Sequence, residues 1–190
     1  MKGIVFNLLE EVVRRDYGED AWDDLIEQAG IGGAYTSLGN YDDADLTRLV
    51  VAASQSLNRS PYDVVRWFGR EALPILARKY PAFFERHAST RSFVLTLNDI
   101  IHPEVRKLYP GADVPEFEYD VSSPDVLVMT YRSARRLCAF AEGLVEGAAA
   151  HFGESVLFDH PHCMLRGDEA CTFRIAFRPQ QESQSAARPA

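Results

Sequence analysis

The stretch "DVLVMTYRSARRLCAFAEGLVEGAAAHFG", residues 125–153, changes texture halfway, and that change decides the fold. Asp125 to Tyr131 is an apolar run of strand length. "SARRLCAFAEGLVEGAAAHFG" then reads as a long helix with small residues on one face, closing on a Gly. Downstream, "SVLFDH" and "ACTFRIAF" alternate as two strands of a hairpin across the turn "PHCMLRGDE". Upstream, "FEYDV" adds a strand, parted from the first by Ser122, Ser123 and Pro124.

Before Gly111 the sequence is helical. "VFNLLEEVVRRDYG" places Val5, Leu8, Leu9, Val12 and Val13 on one stripe. "DAWDDLIEQAG", "DDADLTRLVVAASQSLN" and "SPYDVVRWFGREALPILARKY" each open on Asp or Ser, and Pro74 should bend or divide the last. "TRSFVLTLNDIIHPEVRKLYP" is the longest apolar helix pattern. The fold class is therefore α+β. A helical subdomain covers about 1–110, and 111–178 forms a subdomain of small antiparallel sheet and long helix. Residues 1–178 read as one domain, and the polar stretch 179–190 as a disordered tail.

A net charge of −8 argues against non-specific nucleic-acid binding and against an anionic membrane surface, both of which reward basic residues. It also makes Arg132, Arg135 and Arg136 stand out. No apolar run is long enough to span a bilayer, and the N-terminus lacks signal-peptide features. Three Cys are too few for a disulfide scaffold, which points to a reducing cytoplasm.

Two features carry candidate chemistry. His102 lies among Leu97, Ile100 and Ile101, and reads either as a core histidine or as an axial ligand to a metal or haem. Tyr131, Ser133 and Arg135 read either as strand end, N-cap and solvated first-turn side chain, or as a clamp for an anion. A buried haem joins the two: its iron wants imidazole, its ring apolar walls and its propionates donors.

On these residues the chain resembles the bacterial haem nitric oxide/oxygen-binding (H-NOX) domains, related to the haem domain of soluble guanylate cyclase. The likeness runs from "MKGIVFNLLE" to "FRIAF". It rests on the opening "MKG", the His in "DIIHPEVRKLYPGADVP" and the Tyr-x-Ser-x-Arg signature in "YRSARR". It implies haem b held between the subdomains, with His102 as proximal ligand, Tyr131, Ser133 and Arg135 on the propionates, and Pro115 pressing on the porphyrin. Val5, Leu9, Ala72, Leu76 and Phe140 are the implied distal lining, with Phe140 where dioxygen-binding members place a tyrosine.

Bound dioxygen carries partial negative charge, and a missing hydrogen bond costs roughly 1–3 kcal/mol, about tenfold or more in affinity. The expectation is an NO sensor that takes CO weakly and forms no stable dioxygen complex. By the same resemblance NO weakens the iron–His102 bond and shifts the packing, so that a separate histidine kinase or cyclic-di-GMP enzyme reads the change. The chain is thus expected to be a sensor and not an enzyme.

The cysteines form Cys138…His160-x2-Cys163-x7-Cys171, a ligand set suited to tetrahedral structural zinc. Otherwise Cys138 is a small buried hydrophobe and the other two are free thiols or a disulfide. His162 competes with His160 but adjoins Cys163. A subset of the family resembles this Cys/His/Cys/Cys pattern and can respond to oxidation, which adds thiol redox sensing to the expectation. A haem-free small-molecule-binding domain of the vinyl-reductase type shares the architecture, but has no need of both His102 and the triplet. A zinc hydrolase is disfavoured, because four ligands leave no open position for water.

Overall fold

A computed structural model describes residues 1–179; the expected tail, Pro179 apart, lies outside the described residues. Helices α1 (Gly3–Tyr17), α2 (Ala21–Ala29), α3 (Asp43–Leu57) and α4 (Pro61–Lys79) form the first half. Their ends follow the local chemistry. Asp42 caps α3 by accepting from the Ala44 N–H, and Ser60 caps α4 by accepting from the Asp63 N–H, with Pro61 in the first turn. Gly30 and Asn58 close α2 and α3 in the left-handed conformation. Phe6, Val12, Trp22, Leu49, Phe68 and Ile75 are buried between these helices as one apolar core.

Pro74 does not divide α4, which runs unbroken to Lys79. Packing on both sides overrides the break: Leu73 belongs to the second core, Ala72 and Ile75 to the first. The long apolar pattern after Thr90 is, by contrast, not one helix. It resolves into α5 (Thr90–Val94), a π turn (Leu97–Ile101) and α6 (His102–Leu108). The His102 N–H reaches back to the Leu97 carbonyl, and Pro103 has no N–H with which to restore the ordinary ladder.

Strands β1 (Glu116–Asp120), β2 (Val126–Arg132), β3 (Glu154–His162) and β4 (Cys171–Pro179) form one antiparallel sheet in the order β1-β2-β4-β3. Leu127, Met129 and Tyr131 of β2 and Cys171, Phe173 and Ile175 of β4 alternate onto its buried face. The register pairs Tyr131 with Cys171, which brings the signature tyrosine beside a cysteine distant in sequence.

Helix α7 (Cys138–His151) lies between this sheet and α4. It begins later than the sequence pattern suggests, because Ser133–Arg136 makes a turn in which Arg136 adopts φ 52°. Neither Ser133 nor Arg135 therefore belongs to the helix's first turn. The small residues of α7 serve close approach to α4. A Cβ on Gly143 would come within 1.9 Å of the Arg66 carbonyl oxygen, and one on Gly69 within 2.4 Å of the Phe140 oxygen. Gly147 similarly faces the Arg70 carbonyl that Pro74 leaves without its helical donor.

Candidate functional site

The π turn delivers His102 to the junction of the two halves. The ring is buried and lies 5.7 Å from the Phe117 ring of β1, stacked on it. Burial pushes its pKa down to about 4, and the nearby Arg106 charge adds to that, so the imidazole is neutral at pH 7. Its Nδ1 is buried and has no hydrogen-bond partner. A neutral imidazole with an unsatisfied buried nitrogen is chemically suited to a metal. Pro115 sits half-buried just ahead of β1.

Val5, Leu9, Ala72, Leu76 and Phe140 gather in the helical core, Leu9 and Ala72 buried and the others packed against it. Phe140 packs on Phe68, ring centres 4.9 Å apart. All five are apolar. Tyr35 in the same core has an unpartnered hydroxyl, but that group is set among Asp45, Arg48 and Tyr41. An apolar cavity of about 230 Å³ between α1, α2, α3 and α4 adjoins this set through Leu9 and Phe68.

Tyr131 closes β2 with its ring buried. Burial raises its hydroxyl to about 12, against hydrogen bonds to Ser133 and to the Leu137 backbone that lower it. The Ser133 hydroxyl accepts the Arg135 backbone N–H at 3.3 Å. The Arg135 guanidinium lies 2.9 Å from an Asp43 oxygen and 2.8 Å from Asp113, and donates to the Asp113 carbonyl as well. Arg135 is thus paired with two carboxylates of the chain itself. Burial opposes ionisation of Asp43, yet the N-terminal ammonium and Arg135 hold its carboxyl below the usual range. Arg132 is exposed and pairs with Glu118, and Arg136 is exposed.

The sulfurs form the second constellation. Cys138 opens α7, Cys171 opens β4, and His160 and Cys163 come from the end of β3 and the turn after it. One ligand atom from each lies within 4.8 Å of the others, and the three Cys are buried and unbridged. Cys138 Sγ and Cys163 Sγ are 3.8 Å apart. Tetrahedral zinc with bonds of about 2.3 Å to sulfur sets two sulfurs roughly 3.8 Å apart. Burial pushes the Cys138 and Cys171 thiols up; the facing sulfurs add to this at Cys138, while the Met164 N–H donated to Cys171 Sγ opposes it there. The His160 Nε2 is buried and unpartnered. His162 stands apart, exposed, with Nδ1 3.6 Å from Asp168.

Sequence reasoning missed the polar groups behind His160. Its Nδ1 is 2.7 Å from the Glu142 carboxylate, which also accepts from the Tyr62 hydroxyl and lies 3.3 Å from the Arg66 guanidinium. The available signal was a Glu one turn after Cys138 within the small-residue run "CAFAEGLVEGAAA".

A two-part α+β architecture thus sets a buried histidine, its Nδ1 unpartnered, between an apolar helical core and a donor-bearing strand end. The family model described as "Haem-NO-binding" matches residues 2–160. The chain belongs to the H-NOX family. An H-NOX protein from S. oneidensis solved in the Fe(II)NO state is 33% identical, with TM-score 0.88, 94% of this chain and 99% of that chain covered. The unliganded Fe(II) H-NOX protein from K. algicida is 26% identical, with TM-score 0.84, covering 97% and 100%. The IWP-051-bound H-NOX from Shewanella woodyi in the Fe(II)CO state is 29% identical, with TM-score 0.80, covering 99% and 100%. The domain is accordingly a haem-based gas sensor and not an enzyme, and the haem-free alternative is not favoured. Among the described residues no helix is long and apolar enough to cross a membrane.

Proposed function

We propose that this chain is an NO sensor that discriminates against dioxygen and signals to a separate cytoplasmic protein. Haem b, when bound, supplies a ferrous iron that accepts diatomic gases. His102 is the residue we assign to hold it, a reading supported by its buried imidazole whose Nδ1 has no partner in the protein. Tyr131, Ser133 and Arg135 stand at the strand end to take the propionates, with Arg135 exchanging its Asp43 and Asp113 partners for them. Pro115 is assigned to the porphyrin face beside Phe117.

The observation that carries ligand choice is the apolar character of Val5, Leu9, Ala72, Leu76 and Phe140. A gas that needs a donor loses about tenfold or more there, whereas NO and, more weakly, CO do not need one. Relatives from S. oneidensis solved in Fe(II)NO and Fe(II)CO states support the same ligand class. His102 directly follows a π turn, a local irregularity that can repack when the load on its ring changes. A histidine kinase or a cyclic-di-GMP enzyme is the class of partner we assign to read that change.

Cys138, His160, Cys163 and Cys171 are assigned to a structural zinc, which fastens α7 to the terminal hairpin, and whose thiolates can also sense oxidation. The sulfur spacing and the unpartnered His160 Nε2 support that reading. The test of the main proposal is a spectrum of the reduced, haem-loaded protein. NO should shift the Soret band at once, and air should leave no persistent oxygenated form. A lasting oxygenated spectrum would refute the assignment of the distal wall.

A further inference from the structure

The polar group behind His160 has no role in the haem and gas reading proposed above. Glu142 is among the most buried side chains of the chain, at 2% exposure, although it is a carboxylate in the middle of a helix of small residues. A buried carboxylate persists only where partners satisfy it. It has three: His160 Nδ1 at 2.7 Å, the Tyr62 hydroxyl, and the Arg66 guanidinium at 3.3 Å.

Helix geometry arranges this twice over. Cys138 and Glu142 are four apart on α7, so the helix presents a thiol and, one turn on, a carboxylate on the same side. Tyr62 and Arg66 are four apart on α4, and both reach the same Glu142. Arg66 continues to Glu146 at 2.6 Å. The close backbone approach at Gly143 lets these side chains meet across the two helices.

The two nitrogens of His160 are therefore in opposite conditions. Nδ1 is engaged by the Glu142 carboxylate at 2.7 Å and lies 3.3 Å from the Tyr62 hydroxyl, whereas Nε2 is buried with no partner. Resting on the zinc reading above, we infer that Glu142 is the positioning residue of that centre. By accepting from Nδ1–H it fixes His160 in the form whose Nε2 is free to ligate and turns the ring toward the three sulfurs. Tyr62 and Arg66 hold Glu142 in place, so the metal centre is anchored on α4 as well as on α7 and the hairpin. Outer-shell carboxylates of this kind typically change metal affinity by about 10–100-fold when lost.

The test is zinc affinity of the full chain under anaerobic, reducing conditions, read by competition with a chromophoric chelator. Glu142→Gln, which keeps the shape and removes the charge, should weaken zinc by about tenfold or more, and Tyr62→Phe by a smaller factor in the same direction. The decisive comparison repeats both changes in a His160→Cys background, where no imidazole remains to be oriented. There each should alter affinity by less than about threefold, as a cycle isolating the Glu142–His160 coupling requires. If Glu142→Gln does not fold, Glu142→Asp, which keeps the charge but shortens its reach to Nδ1, carries the same comparison. Cobalt substitution adds a spectroscopic reading, since a reoriented imidazole shifts the visible bands of the Glu142→Gln protein.

Equal losses in both backgrounds would make Glu142 merely structural and overturn the inference. So would an unchanged affinity in Glu142→Gln protein whose parent binds one zinc tightly. A parent chain that binds no zinc when reduced would instead refute the metal reading itself, which separates the two failures.

Discussion

Helix α7 separates two sites of opposite character within its first turn. Phe140 faces the helical core, where Val5, Leu9, Phe68, Ala72 and Leu76 offer no hydrogen-bonding group. Cys138, two residues earlier, faces a cluster of thiols and imidazole backed by a carboxylate and a phenol. A turn of 3.6 residues sets positions two apart on nearly opposite faces, so one helix can wall both sites. The contrast teaches how each gains selectivity. On the function proposed above, the first would work by withholding donors, so that a ligand that needs none is favoured. On the same proposal, the second would work by gathering four soft ligands around a space that suits one metal cation.

The largest effect expected from breaking this contrast lies at His102, which neither site on α7 can replace. His102→Ala should lower haem affinity by at least the ~10–100-fold that losing a mere supporting group costs a metal site. Haem titration followed at the Soret band measures it, and added imidazole should restore part of the loss. Wild-type haem content and spectrum in that variant would remove His102 from the proposed role.

Next in size is the soft site. Cys171→Ser in the reduced protein should abolish stoichiometric zinc, read by metal analysis, and lower the melting temperature, because the hairpin loses its tie to α7. The same change should leave the Soret position of the ferrous protein nearly unmoved if the two sites are as separate as their faces suggest. A variant that retains one zinc per chain would show that the sulfur cluster binds it without Cys171.

Smaller again is the effect at the seam that lets one helix serve both sites. Gly143→Ala places a Cβ within 1.9 Å of the Arg66 carbonyl oxygen, a backbone atom that cannot rotate away. The helices must separate, at a cost of about 1–3 kcal/mol for overpacking. For a chain of this size that is a drop of several degrees in melting temperature, at roughly 2–4 °C per kcal/mol. Unchanged thermal stability would mean that α4 and α7 do not pack as closely as described.

Much of this was legible in the sequence, for reasons that differ between residues. Period and caps placed the helices of the first half, because Asp42, Ser60 and Gly30 act locally on their own helix ends. Alternation placed the strands, since Leu127, Met129 and Tyr131 follow the pleat. What escaped was decided by packing at a distance. Pro74 forecasts a break that two flanking cores suppress, and the apolar continuity after Thr90 conceals a π turn that Pro103 favours from two residues beyond. The start of α7 slipped from Ser133 to Cys138 because a left-handed Arg136 carries no sequence mark. Glu142 was invisible for a further reason: its partners Tyr62 and His160 lie on other elements, far off in sequence, so no local pattern announces them.

The smallest predicted effect sharpens the comparison most, because it adds a single oxygen atom to the apolar side. Phe140→Tyr introduces a phenol on the face of α7 that carries no donor, while Cys138 and its partners are left as they are. If donor absence is what excludes dioxygen, the new hydroxyl should strengthen its binding by about tenfold, the scale of one hydrogen bond to a partly charged acceptor. NO affinity should change far less, since the reading of this wall is that NO needs no donor there. The measurement is a pair of titrations, dioxygen and NO, on ferrous parent and variant, with zinc content checked in both. Equal strengthening of both gases would indicate a general change in pocket shape, and no change in either would place Phe140 outside the distal wall. Only a selective gain for dioxygen, with zinc retained, identifies the missing donor as the basis of discrimination.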